Sequence, residues 1–172
     1  MATPHLQPCA GALTGFVFIC PGRFEASRGF PCAAGTGANL ARALLRLHAR
    51  LPGHFRAPNR SAYVITNSWD RVEYPALTGR SVPSEPEVLT DDNLARLGAE
   101  LSGLSTIVAC GAQAHAAVRA LIGHGVIAAD VAFARHLSQR SVNMIPGGSD
   151  TPARIERWCD GVLDQLSPAP GP

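Results

Sequence analysis

Side chains able to donate, accept or move a proton recur just after short apolar runs: Asn67 and Asp70 after SAYVIT, and His136 after VAFAR. An amide offers a donor and an acceptor together, a histidine titrates near neutrality, and a carboxylate orients water or faces a cation. Glu25 is a fourth such group, in the stretch Gly15 to Leu40, GFVFICPGRFEASRGFPCAAGTGANL. That stretch reads as a buried strand, Phe16 to Cys20, then a loop, then a helix. From Pro21 to Gly37 stand four glycines and two prolines, with Arg23, Glu25 and Arg28 among them, before helical spacing begins at Leu40, Leu44, Leu45 and Leu47. Glycines let backbone N–H groups approach a ligand, and a helix start turns its positive end to the same place. An anion or a nucleotide fits there.

These groups need elements that gather them. Ser61 to Thr66, Thr106 to Cys110 and Val131 to Ala134 read as further strands, and Asn39 to Leu51, Asn93 to Leu101, Ala112 to Ile122 and Thr151 to Leu166 as helices. Residues 1–14 are expected to be a loosely ordered lead-in and 71–90, with prolines and no period, a surface loop. The alternation predicts an α/β fold, a three-layer αβα sandwich around a four-stranded parallel sheet, as one domain over 1–166 with a disordered tail at 167–172. In such sheets ligands bind outside the carboxyl ends of the strands, which brings Cys20, Pro21, Gly22, Asn67, Asp70 and His136 to one edge.

Bulk composition limits the partners. The net charge of the 172 residues is +2, with fifteen arginines and no lysine, so overall charge does not declare a nucleic-acid binder. Arg42, Arg46 and Arg50 recur on one helix face and read as a solvated stripe. Five cysteines, at 9, 20, 32, 110 and 159, form no C-x-x-C pair and are odd in number, which favours thiols in a reducing compartment. The start of the chain lacks the features of a secretion signal and no run approaches a membrane span, so a cytoplasmic protein is expected.

Spacing is more specific than composition. Pro21-Gly22, Glu25, Gly29, Pro31, Gly37 and Leu40 stand as P-G-x-x-E-x-x-x-G-x-P-x-x-x-x-x-G-x-x-L, which resembles the first motif of the uracil-DNA glycosylase superfamily, particularly its iron–sulfur branch. AYVITN is similar to the family's second strand motif, and LSTIVACGAQAHAAV to its L-x-x-x-V-x-x-x-G-x-x-A strand and helix. His136-Leu137-Ser138-Gln139-Arg140-Ser141-Val142 resembles the terminal H-P-S-P-L-S-V motif. The resemblance implies a DNA glycosylase acting as a monomer on a flipped base, with Asn67 reading the Watson–Crick edge. It further implies that Cys20, Pro21, Gly22 and Cys32 line the base pocket.

Departures refine that expectation. Phe18-Ile19-Cys20 carries no carboxylate where relatives usually activate water, so Asp70 and Glu25 become the acidic candidates beside His136 as the catalytic set. Backbone N–H groups after Cys20, aided by His136, are expected to hold the anionic base. Arg71 stands where a cluster cysteine would be, and neither a metal nor a cofactor is expected. Cys32 replaces the aromatic that stacks on uracil, and Arg140 replaces the leucine wedge. Arg23, Ser138 and Arg140 are the expected DNA contacts. The enlarged pocket points to a modified pyrimidine, such as glucosylated hydroxymethylcytosine of phage DNA, in an antiviral role. Uracil excision in repair, or binding of modified DNA without cleavage, are the alternatives.

Overall fold

A computed structural model of the chain describes residues 1–166, so the expected disordered tail lies outside the described residues. The strands are β1 (Leu6–Gln7), β2 (Thr14–Phe18), β3 (Val64–Asn67), β4 (Thr106–Cys110) and β5 (Asp130–Ala134), in the order β1-β3-β2-β4-β5. The last four are parallel, as expected. The sheet nevertheless has five strands, not four, because β1 pairs antiparallel with β3, Leu6 opposite Thr66 and Gln7 opposite Ile65. The lead-in is therefore built into the sheet. Gln7 holds it there, donating to the Arg60 carbonyl at 2.8 Å and accepting from Arg60 Nε at 3.1 Å.

The helices are α1 (Arg23–Arg28), α2 (Gly35–Arg50), α3 (Pro75–Thr78), α4 (Glu85–Val88), α5 (Asp91–Leu101), α6 (Ala112–Gly123), α7 (Gln139–Asn143) and α8 (Thr151–Leu163). Alternation along the strands makes the layers. Phe16 and Phe18 of β2 and Val108 and Cys110 of β4 pack with Leu40 and Leu44 of α2 and Trp158 of α8. Val17, Ile107 and Ala109, on the other face, pack with Leu97 of α5 and Leu121 of α6. The arginine stripe of α2 is solvent-exposed, and two of its members reach α8. Arg46 meets Glu156 at 2.9 Å and Arg50 meets Asp160 at 2.5 Å, exposed pairs that add little stability.

Residues 71–90 hold two short helices instead of an irregular loop. Arg80 lies between Glu73 and Glu87, at 2.6 Å from each, and Glu73 also accepts from the Trp69 indole at 3.1 Å. The Arg80 hydrogen bonds keep both carboxyls at about 2, well below their ordinary range. On the far side of the sheet, the Gln165 carboxamide accepts from Phe133 N at 2.9 Å and donates to Phe133 O at 3.1 Å. Among the described residues no helix is long and apolar enough to cross a membrane.

Candidate active site

A cavity of about 190 Å³ opens beyond the carboxyl ends of β2 and β3, lined by Phe18, Cys20, Gly22, Glu25, Cys32, Thr36, Asn67 and His136. Six of these are residues singled out in the sequence. They converge from β2 and its loop, the end of β3, and the turn after β5. The β3 ladder continues past its last strand residue, Ser68 N donating to Phe18 O at 2.7 Å and Trp69 N to Ile19 O at 3.0 Å. This extended run turns Trp69 inward and leaves Asp70 exposed. Asp70 lies in a separate depression with Arg71, Asp92 and Arg96, which corrects its placement among the catalytic candidates.

Glu25 does reach the cavity, yet its carboxylate closes the loop on itself. One oxygen accepts from Gly22 N at 3.0 Å and the other from Ala33 N at 2.9 Å, which makes α1 possible inside a Gly-rich segment without apolar periodicity. This also changes the expected anion hole. Pro21 has no N–H, and that of Gly22 is engaged by Glu25, so among the backbone donors after Cys20 these two are lost to a ligand. Among the described residues Glu25 is the one carboxylate lining the cavity.

Cys32 is buried and sits at φ 52°, a left-handed conformation unusual for a residue with a side chain. Arg60 pins it there, donating to Cys32 O at 3.0 Å and Pro31 O at 2.6 Å, while Arg28 donates to Ala33 O. Burial, reinforced by the Glu73 and Glu25 charges, pushes the Cys20 thiol up to about 12, and burial raises that of Cys32 as well. Neither thiol is a nucleophile at neutral pH.

His136 is placed by partners distant in sequence. Its Nδ1 accepts from Ser138 N at 3.0 Å, which leaves the proton of the neutral ring on Nε2. The ring meets Phe18 edge-on, centroids 5.5 Å apart. The turn itself hangs on Asn39, buried in α2, whose amide donates to Leu137 O at 3.0 Å, and on Trp158, whose indole donates to Arg135 O at 2.8 Å. Gly111 (φ 100°) leaves room, since a Cβ there would lie 2.7 Å from Ile19 Cδ1 and 3.4 Å from His136 Cβ. Burial lowers the His136 pKa to about 4, opposed only in part by the Glu25 charge.

The sign of the pH dependence follows. Between about 6.5 and 4 the unfolded chain takes up a proton at His136 that the folded site refuses, so this group costs stability as pH falls through that window. The neutral Nε2–H donor persists across the same window. We therefore expect an NMR titration of the His136 ring to give a pKa near 4. A titration at the ordinary histidine value contradicts the assignment.

Asn67 is buried at the end of β3, its amide nitrogen donating to His5 O at 3.1 Å. Ser138 caps α7, its hydroxyl accepting from Ser141 N at 3.4 Å. Arg23 and Arg140 are exposed, with the Arg23 guanidinium 5.0 Å from the Phe24 ring centroid. Thr36, in the first turn of α2, lines the cavity and was not singled out in the sequence; nor was Asn39, outside the lining, which lies 98 residues from the Leu137 carbonyl it holds. Only the position of Thr36 beside the helix start could have marked it. No protein-family model matches the chain, and no curated protein matches it significantly.

Proposed function

We propose that the protein is a cytoplasmic DNA glycosylase that draws a pyrimidine nucleotide out of the stack and hydrolyses its N-glycosidic bond. The observation that carries this reading is one cavity holding a neutral histidine with its proton on Nε2 and a fixed amide at a strand end. As the C1′–N1 bond breaks, its electron pair stays with the base and the charge gathers on O2. The His136 Nε2–H donates to that oxygen in a site that withholds water. Water adds to the sugar cation at C1′, and the proton it gives up passes to the departing base anion, so that the base leaves neutral. Glu25 faces the cation and Thr36 holds the water. Extrusion costs a few kcal/mol, and Arg140 fills the gap while Arg23 and Ser138 meet phosphates.

The substrate is a pyrimidine extended at C5, such as a glucosylated hydroxymethylcytosine of phage DNA, and the setting is defence against invading DNA. A cavity of about 190 Å³ is small beside the roughly 300–1,000 Å³ of ordinary ligand pockets and is not the enlarged pocket expected from the sequence, so on this reading it takes the ring while the C5 group leaves over the rim. Gly22 and Cys32 present little bulk along the cavity wall, and forgoing an aromatic stack gives up about 1–3 kcal/mol that the extra group must restore. Wild type and Cys32→Phe are compared on uracil DNA and on glucosylated DNA, with abasic sites read by alkali cleavage. We expect wild type to excise the glucosylated base and Cys32→Phe to lose it. A wild type that cuts uracil efficiently and ignores the larger base overturns the substrate assignment.

One observation favours a second reading, a protein that binds modified DNA without cutting it: both Glu25 oxygens are already held by backbone N–H groups. Tight binding with no alkali-labile site in any modified DNA would establish it.

A further inference from the structure

We infer that the segment leading into β1 determines which hydrogen-bonding edge the cavity accepts, by holding the Asn67 amide through the His5 carbonyl. This rests on the glycosylase reading. The Asn67 amide nitrogen donates to His5 O at 3.1 Å. Turning the amide over would set two carbonyl oxygens against each other at that separation, so oxygen and nitrogen cannot exchange places. The amide therefore presents its oxygen and its second N–H in one fixed order. An unheld asparagine serves both kinds of pyrimidine by turning over. A 4-oxo ring places an acceptor at C4 and a donor at N3, and a 4-amino ring the reverse.

The segment that carries this carbonyl is itself held on several sides. Gln7 donates to Arg60 O at 2.8 Å and Tyr63 O at 3.3 Å. The His5 ring lies 3.3 Å from Glu100 of α5, and the same carboxylate accepts from Thr66 of β3 at 2.5 Å and from Arg96 at 2.8 Å. Arg96 also donates to the Asn67 carbonyl at 3.1 Å. No side chain before Thr14 belongs to the buried core. The residues of β1 thus contribute to the site far more than to the packing.

The test uses two oligonucleotides with the same C5 substituent, one 4-amino and one 4-oxo, and reads the ratio of their single-turnover excision rates. Gln7→Pro removes the carboxamide that grips Arg60 and Tyr63 and also removes a backbone donor. His5→Ala/Gln7→Ala is the milder variant. We expect wild type to favour one base over the other, the 4-amino one on the substrate proposed above, and the ratio to fall by about tenfold or more in both variants, the scale of one mismatched buried hydrogen bond. Melting temperatures should change little. An active wild type whose ratio survives both substitutions ends the inference alone. A wild type inactive on both bases ends the glycosylase reading and this inference with it.

Discussion

On the proposed glycosylase reading, His136→Ala is expected to lower excision by about 10²–10³-fold at neutral pH, the scale set by removing one donor from a preorganised anion site, while affinity for the same DNA stays within a few-fold. The split arises because the negative charge on the base oxygen exists only as the bond breaks. In the ground state the Nε2–H has little to hold. Single-turnover rates and equilibrium binding of one oligonucleotide measure the two effects side by side. A matching loss of binding would instead make His136 a packing residue, a role its edge-on contact with Phe18 also offers. A thermal melt of the variant separates that outcome from simple unfolding.

Gly37→Ala should be the most damaging single-methyl change in the molecule. A Cβ at this position would lie 2.0 Å from the Cys32 carbonyl oxygen, and that oxygen is already pinned at 3.0 Å by Arg60. Neither α2 nor the loop can yield without losing Glu25–Ala33 or the Arg60 contacts. Overpacking of this kind costs about 1–3 kcal/mol, and here it displaces the cavity wall as well. We expect a clear fall in melting temperature together with, on the glycosylase reading, loss of excision. Gly35→Ala is the control, because a Cβ there meets nothing within 4 Å. If both variants melt like wild type, the close approach of α2 to Cys32 is not what shapes the pocket.

The four parallel strands were legible because each is an apolar run ending at a glycine, an asparagine or a polar turn, and the helices between them keep a regular apolar face. Strand ends then located Cys20, Asn67 and His136. What the sequence concealed depends on partners far along the chain. Leu6–Gln7 is too short to carry a period and exists as a strand through β3 and Arg60. Helix α1 has no apolar stripe and forms around the two backbone bonds of Glu25. Residues 71–90 look irregular until Arg80 meets a carboxylate seven residues away on each side. Asp70 was misplaced because distance from a strand end does not say on which side the next side chain emerges. Asn39 could not be connected with His136 by any local pattern.

The pairing of Gln165 with Phe133 bears on self-association. Edge strands expose rows of unpaired N–H and C=O groups on which another chain can grow. At β5 the Gln165 carboxamide occupies both backbone groups of Phe133 as a neighbouring peptide would, and at the opposite margin β1 covers β3. The margins are thus blunted by a single side chain on one side and two residues on the other. A chain with so small a charge surplus gains little colloidal protection from repulsion, so opposition to edge-to-edge pairing falls to these two covers.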